Sequence, residues 1–228
     1  MHKTIEPTIL YFGTPVALIS TMNPDATANL APMSSAWWLG WSCMLGLGQM
    51  GQTSDNLIRS RECVINLPSD DLVTHVDRLA LTTGKDPVPD KKLQWGYRYE
   101  PDKFGVARLT PMESLCVKPP RVAECPVQME GTVHEFRSFG KNVNANTFEV
   151  HIVKLHVDEK LLVGDELRRH IDPVRWRPLI MNFCRFFGLT GELHPSRLAE
   201  SNFMRLASQG GAPRQPSASI TTSASITE

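Results

Sequence analysis

The alternation of hydrophobic and polar residues along the chain predicts a mainly β protein with flanking helices. Five stretches are typical of extended strands, at 15–22, 27–38, 42–48, 125–136 and 146–161. The first two are joined by a short turn with the sequence NPD, so they form a predicted hairpin. The last stretch changes phase between Ile152 and Val153, which predicts a β-bulge or a barrel corner.

Hydrophobic periodicity and capping residues predict three longer helices, at 52–61, 69–83 and 173–189. Pro178 lies inside the third pattern, so it either bends that helix or marks its true start. After the second helix, from 84 to 110, the chain is polar and rich in proline, with short helical pieces. An excursion of this length is typical of a lid or a dimer contact, and a packed surface loop is an equally good alternative.

Length and charge limit the classes of protein to consider. The 228 residues suffice for one domain with a sizeable core, which we place at 1–205. Residues 206–228 are small, polar and poor in apolar side chains, which predicts a disordered, low-complexity tail. Lys plus Arg equals Asp plus Glu at 24 each, so we expect no basic surface for nucleic acid or an anionic membrane.

The cysteines and the apolar runs bear on the compartment. Five cysteines without a C-x-x-C pair predict reduced thiols in a cytoplasmic protein. Cys43, Cys63 and Cys184 have apolar neighbours and are predicted core residues. The N-terminal residues lack the apolar stretch of a secretion signal, and no apolar run reaches about 18 residues, so no membrane span is expected.

Polar groups near the second strand and the first helix suggest a site for a phosphate. Pro32 removes a backbone donor in mid-strand, which is tolerated at an edge or a bulge, and Ser34 and Ser35 follow it. Thr53 or Ser54 is the expected N-cap of the first helix. A helix N-terminus favours an anion through its unpaired N–H groups and its dipole. The alternative is that these residues cap the helix and bind no ligand.

One motif points to a different fold. The sequence GLGQMG at 46–51 matches the G-x-G-x-x-G pattern, with Asp70 or Asp71 roughly twenty residues later. A dinucleotide-binding helix must bury a full apolar face on a parallel sheet, yet the helix here offers only Leu57 and Ile58. The remaining chain alternates like an antiparallel sheet and lacks repeated βαβ units. A Rossmann-type dinucleotide binder is therefore a remote alternative.

The other motifs predict no metal site and no catalytic residue. The histidines lack paired spacing with cysteines or carboxylates on one face. His151 and His156 point to opposite faces of one strand unless a bulge intervenes. The signatures of serine hydrolases, P-loop proteins and zincins do not occur, which excludes those classes.

The stretch from Val16 to Gly48, followed by TSDNLIRSRECVINLP, resembles the FMN-binding split-barrel flavin reductase family, including its flavoredoxin-like members. The shared motifs are N-x-A-P-x-S, a T-x-x-N-[LI] helix start and an E-x-V-[IV]-N-L-P strand, and the later strands and the 172–189 segment also resemble the family. The resemblance implies a six-stranded antiparallel split β-barrel, a homodimer and bound FMN. The FMN-contacting residues that it implies are Pro32, Met33, Ser34, Ser35, Ala36, Gly48, Gln49, Gln52, Thr53 and Asn56.

The same resemblance implies an NAD(P)H-dependent flavin reductase that transfers a hydride from a nicotinamide to FMN. Because the cofactor carries out this chemistry, the lack of a catalytic acid or base does not count against it. A flavin-binding carrier or sensor without turnover is the alternative. Flavin and nicotinamide are the expected small-molecule partners, and a partner monooxygenase is a further expectation. We expect Trp37, Trp38 and Trp41 to pack in the core or at a dimer contact.

Overall fold

The computed structural model describes residues 1–164, 169–194 and 196. Its strands are β1 Thr14–Pro15, β2 Ala17–Met22, β3 Ala28–Met33, β4 Ala36–Leu39, β5 Ser42–Gly48, β6 Glu62–Leu67, β7 Thr82–Thr83, β8 Arg98–Tyr99, β9 Pro111–Met112, β10 Arg121–Val122, β11 Val127–Phe139, β12 Ala145–Val157, β13 Leu162–Val163, β14 His170–Ile171, β15 Ile180–Asn182 and β16 Arg185–Phe187. Its α-helices are α1 Gln52–Ser60, α2 Val73–Asp77, α3 Asp90–Gln94 and α4 Lys103–Ala107, and short 3-10 helices lie at Asp70–Leu72 and Glu159–Leu161.

The main sheet is antiparallel and has seven strands in the order β3-β2-β6-β11-β12-β5-β4. Its two edge strands, β3 and β4, are consecutive in the chain and are separated only by Ser34 and Ser35. The sheet must therefore curl until its two edges meet, which is the closure of a barrel. If β3 and β4 are counted as one bent strand, the barrel has the six strands that the resemblance implies. Pro32 lies on the edge strand β3, as a proline in a sheet should.

The change of phase predicted in the long strand is a β-bulge. Ile152 pairs with Gly131 and Lys154 with Glu130, so Val153 is left without a partner on β11. A Cβ atom at Gly131 would lie 2.5 Å from Val150 Cγ1, so only glycine fits at this point of close approach. The prediction of a bulge at this place is confirmed.

Two hydrophobic cores hold the fold, and β2 contributes to both. Alternate residues of β2 face opposite sides of the strand, so Ile19 packs in the barrel interior and Leu18 packs in a second core outside it. The barrel interior is closed by the fully buried Leu57 of α1. The second core also takes Phe104 from α4 and Leu179 from the segment before β15. Since α4 is anchored in this way, the end of the 84–110 excursion is fixed to the barrel.

Several predictions about the helices and cysteines are wrong. The segment predicted as a helix at 173–189 forms the antiparallel pair β15–β16, with Phe183 and Cys184 at positive φ in the turn. The apolar spacing of this segment was misinterpreted as helical, because Met181 and Phe186 pack against the second core from strands of only three residues each. Cys184 is consequently exposed, whereas Cys43 and Cys63 are buried as predicted.

The helix predicted at 69–83 is shorter than expected. It consists of the 3-10 helix at Asp70–Leu72 followed by α2, and residues Thr82 and Thr83 form the strand β7. The domain boundary predicted at residue 205 and the tail predicted at 206–228 lie outside the described residues. Among the described helices, none is long and apolar enough to cross a membrane.

Candidate functional site

Five of the ten residues expected to contact FMN lie where the two barrel edges β3 and β4 meet, which we call the seam. Pro32, Met33 and Ser34 are half-buried at the end of β3, Ser35 is exposed and Ala36 is buried at the start of β4. The Gly46 N–H donates to the Ser35 carbonyl at 2.8 Å, and a Cβ at Gly46 would lie 3.1 Å from Ser35 Cβ. The seam therefore brings backbone from β5 into close contact with the chain between β3 and β4.

Helix α1 begins beside this seam at Gln52, before both of the residues predicted as its N-cap. Gly51 is the N-cap and makes no side-chain capping hydrogen bond, so the prediction of Thr53 or Ser54 as N-cap is wrong. The side chains of Thr53 and Ser54 are buried and bond to other elements. No capping side chain thus competes for the N–H groups of the first turn, which suits an anion.

A neutral polar network lies beneath the first turn of α1. Asn29 Nδ2 donates to Thr53 Oγ1 at 3.0 Å and to Thr21 Oγ1 at 3.2 Å. Asn56 Nδ2 donates to the same Thr21 oxygen at 3.0 Å, and Gln52 Nε2 donates to Asn56 Oδ1 at 3.0 Å. We call Thr21, Asn29, Gln52, Thr53 and Asn56 the polar network.

The network divides the predicted site residues into two groups. Asn56 is 0% exposed and Thr53 is 5% exposed, so their side chains stabilise the fold around α1. Gln52 is half-buried, and Gln49, at the end of β5 beside the exposed Gly48, is itself exposed. Gln49 Nε2 donates to Asn146 Oδ1 at 3.0 Å, which ties this side chain to β12. Gln49 and Gln52 are therefore the side chains of this group that a bound molecule can reach.

A lysine that the sequence analysis did not name lies beside the first turn of α1. Arg59 and Arg61 lie on the last turn and beyond it: Arg59 donates to the Met22 carbonyl, and the Arg61 guanidinium lies 4.9 Å from the centre of the Phe136 ring. Lys85, on the 84–110 excursion, instead pairs with Asp55 in the first turn of α1. Lys85 could not be predicted as a neighbour of α1, because it is distant from this helix in the sequence and the residue pattern does not show how the 84–110 excursion folds.

A second cluster that the sequence did not reveal lies on the outer face of β11 and β12. His134, Glu149 and His151 each have a ligand-type atom, and these atoms all lie within 4.8 Å of one another. His151 Nε2 lies 3.2 Å from Glu149 Oε1. His134 occupies a second bulge, between Val133 and Glu135, and so lacks a partner on β12. The expectation that no metal site exists overlooked Glu149 and His151, which lie two residues apart on one face of β12. Spacing within single strands could not show that His134 joins them from β11.

The tryptophans differ in their burial. Trp38 is half-buried and packs against the barrel core, while Trp37 is 53% exposed and Trp41 is 38% exposed. Packing in the core is thus found for Trp38 alone of these three. The buried Nε1 of Trp38 has no hydrogen-bond partner among the described residues.

Comparisons with known proteins agree with this architecture. The model of the flavin reductase like domain matches residues 9–182. The chain is 41% identical over 191 residues to the uncharacterized protein YdfE of Bacillus subtilis (strain 168). This match covers 84% of this chain and 91% of that protein.

Two solved structures show the same fold. Flavoredoxin of Desulfovibrio vulgaris (Miyazaki F) has a TM-score of 0.71 at 21% identity and covers 88% of this chain and 100% of its own. Component B of nitrilotriacetate monooxygenase from Bacillus cereus has a TM-score of 0.66 at 18% identity and covers 86% and 99%. With a family model that matches most of its length and a relative at 41% identity, the chain belongs to the flavin reductase-like domain family.

Proposed function

We propose that this protein is an NAD(P)H-dependent FMN reductase. Membership of the family makes it a flavin-related oxidoreductase, and the choice of FMN rests on one observation in particular. The first turn of α1 has no capping side chain and lies beside the barrel seam, with Gln52 within reach of solvent. A single short helix N-terminus suits one terminal phosphate, so we expect FMN to bind more tightly than FAD.

The residues at the seam fit the parts of an FMN molecule. Backbone and hydroxyl groups of Ser34 and Ser35, with the flanking Pro32, Met33 and Ala36, would line the ring and the start of the ribityl chain. Gly48, Gln49 and Gln52 would line the ribityl chain and the phosphate, and the polar network would hold the helix in place. When bound, FMN would supply the ability to accept a hydride, and the chain's own residues would bind it, orient it and leave one ring face accessible.

Access to the flavin would be controlled by part of the 84–110 excursion. Its last helix, α4, is fixed by Phe104 and Ala107 in the second core. We therefore assign any movement over the site to the portion between Lys85 and Tyr97, and not to the whole excursion. A nicotinamide nucleotide would stack on the flavin when this portion is open.

A homodimer is part of the proposal. Trp37, Leu39 and Trp41 are exposed together on and just after the edge strand β4, and large apolar side chains grouped in this way favour burial against another chain. We propose that a second copy of the chain covers this surface. We also propose that the protein is cytoplasmic. Static light scattering should give twice the chain mass, and a monomer at micromolar concentration with FMN bound would contradict it. A partner monooxygenase that uses the reduced flavin is a further proposal, suggested by the name of the similar component B.

The absorbance of FMN under anaerobic conditions tests the enzyme. A catalytic amount of protein should bleach the flavin over seconds when NADH or NADPH is supplied, and the faster nucleotide is the preferred donor. If the protein binds FMN but neither nucleotide reduces it faster than free FMN, the protein is a flavin carrier or sensor instead.

Site variants sharpen the same test. Gln52→Ala should weaken FMN binding about tenfold, because one side-chain hydrogen bond to a charged group is lost. Gln94→Ala is the matched control, since Gln94 is exposed on α3. Fluorescence titration measures both affinities. Equal affinities in the two variants would remove Gln52 from the site.

A further inference from the structure

Three lysines of the 82–103 region surround the two-residue strand β7, and we call Lys85, Lys92 and Lys103 the lysine cluster. Lys103 Nζ donates to Thr82 Oγ1 at 2.5 Å, and Lys92 Nζ donates to Thr83 Oγ1 at 3.2 Å. The backbone N–H of Lys85 donates to the same Thr83 oxygen at 3.3 Å. Two adjacent threonine hydroxyls thus organise all three lysines.

The charges of the cluster are incompletely compensated. Within 1–164, 169–194 and 196, Lys85 pairs with Asp55, while neither Lys92 nor Lys103 has a carboxylate within ion-pair distance. Lys103 is only 3% exposed, and a buried ammonium whose partner is a neutral hydroxyl is costly. The Thr82 hydroxyl accepts a hydrogen bond from Lys103 and donates its own proton to the Leu79 carbonyl at 2.7 Å, so it offers the ammonium group a neutral oxygen and no negative charge.

The pKa values of Lys103 and Lys92 reflect the same uncompensated positive charge. Burial first, and then repulsion from Lys92, lowers the pKa of Lys103 to about 8, while the Glu100 carboxylate opposes the shift. Burial also lowers the pKa of Lys92, with repulsion from Lys85 next in size and the Asp55 carboxylate opposing. Both ammonium groups would be stabilised by an anion bound beside them.

The cluster lies next to the proposed flavin site. A Cβ at Gly84 would lie 3.2 Å from Cβ and Cγ of Gln52 and 2.8 Å from Asn29 Oδ1, so the segment after β7 packs directly on the first turn of α1. Lys85 then reaches Asp55 in that same turn. Lysine ammonium groups and a helix N-terminus are both groups that bind phosphate in proteins.

We propose that the lysine cluster is a phosphate-binding subsite that receives the phosphomonoester of a nucleotide bound at the seam. Lys85 and Lys92 would contact the phosphate, and the buried Lys103 would act through its charge from beneath. The identity of the nucleotide rests on the proposed function, but binding of phosphate itself does not. The phosphomonoester has two sources, the 5′-phosphate of FMN and the 2′-phosphate of NADPH.

Charge removal at Lys92 tests the subsite. Lys92→Gln is compared with Lys91→Gln, because Lys91 is the exposed neighbour on the same helix and stacks on Trp95. The three titrations use inorganic phosphate, FMN against riboflavin, and NADPH against NADH. Circular dichroism first checks that both variants fold, and Lys85→Gln provides a second, solvent-accessible variant of the cluster.

The proposal expects Lys92→Gln to bind a phosphate-bearing ligand about tenfold more weakly than Lys91→Gln does, the loss of one charge-assisted contact. A loss for FMN and none for riboflavin assigns the flavin phosphate, and a loss for NADPH and none for NADH assigns the nicotinamide nucleotide. If Lys92→Gln and Lys85→Gln bind phosphate, FMN and NADPH as Lys91→Gln does, the subsite does not exist. Should the wild-type protein bind no flavin, the proposed function fails, and the phosphate titration still decides on the cluster.

Discussion

Two polar regions meet at the first turn of α1, and they differ in how their polar groups are satisfied. The polar network consists of neutral amides and hydroxyls that are joined to one another by hydrogen bonds of 3.0 to 3.2 Å. The lysine cluster carries positive charge, and among the described residues two of its three ammonium groups hydrogen-bond to threonine hydroxyls and have no carboxylate partner. Lys92 Nζ also lies 5.0 Å from the centre of the Tyr97 ring.

This difference distinguishes residues that stabilise the fold from residues that we expect to interact with a ligand. A buried neutral network whose members satisfy one another stabilises a single arrangement of the elements around it. Buried charges without opposite charges destabilise the chain unless something else compensates them. We therefore interpret Thr53 and Asn56 as supports of the site, and the lysines as groups that interact with what binds there.

The largest effect that we expect follows from breaking the network. Asn56→Ala removes the side chain that connects Thr21, Asn23 and Gln52, although Thr21 keeps its hydrogen bond from Asn29. The free energy of unfolding should fall by about 3 kcal/mol, because three hydrogen bonds are lost and the fully buried side chain leaves a cavity. Urea denaturation measures the change.

Gln52→Ala is the control for this variant. Gln52 is half-buried at the outer end of the network, so its removal should cost less than about 1 kcal/mol of stability. If Asn56→Ala unfolds at the wild-type urea concentration but no longer binds FMN, Asn56 is a ligand-contacting residue and the division between the two regions is wrong.

Much of the barrel could be predicted because its strands follow local rules. The alternation of β11 and β12, the bulge at Val153 and the edge position of Pro32 all appear directly in the sequence. The hairpin β15–β16 could not be predicted, because short strands that pack against a core have the same apolar spacing as a helix. Its turn depends on positive φ at Phe183 and Cys184, which those residues rarely adopt and no pattern announces.

The candidate site was less predictable than the fold. The resemblance supplied residues on β3, β4 and α1, which are near one another in sequence and in space. It did not identify Lys85, Lys92 or Lys103, because the positions of these lysines depend on how the 84–110 excursion folds. The strand β8 of this excursion pairs with β7, which brings the excursion back beside β7. It also could not show that Asn56 is buried, since an asparagine on a polar helix face is exposed by default.

The next effect in size is a change in the pH dependence of stability, from Lys103→Met. The pKa of Lys103 is lowered to about 8 in the folded chain from 10.5, first by burial and then by Lys92 and Arg98, with Glu100 opposing. Between these two values the unfolded chain holds a proton that the folded chain has released, so stability rises with pH. At pH 7 both states are protonated, and the full cost of the buried charge is present.

Methionine has a similar length and no charge, so Lys103→Met should remove this dependence. From about pH 7.5 to 10, the wild-type chain should gain about 2 kcal/mol more in unfolding free energy than the variant does. Guanidinium denaturation at the two pH values gives the slopes. Lys91→Gln, which alters an exposed lysine, should keep the wild-type slope. Equal slopes for wild type and Lys103→Met would mean that the Lys103 charge is compensated in the folded chain.

The smallest effect is expected where the two regions touch. Gly84 joins them, since a Cβ there would lie 2.8 Å from Asn29 Oδ1 in the network and 3.2 Å from the Gln52 side chain. Gly84→Ala should therefore push the chain between Thr83 and Lys85 away from α1 at a cost of about 1 kcal/mol, a modest case of overpacking.

Thermal unfolding measures this cost, and Gly48→Ala serves as its stability control because the nearest atom to a Cβ at Gly48 is 4.0 Å away. The displacement moves Lys85 relative to the first turn of α1 without altering any charge. If the subsite is correct, Gly84→Ala weakens the binding of FMN or NADPH and leaves that of riboflavin and NADH unchanged. A loss of affinity for riboflavin as well would show that the contact at Gly84 shapes the seam itself, and the two regions would then act as one site rather than as a support and a binding group.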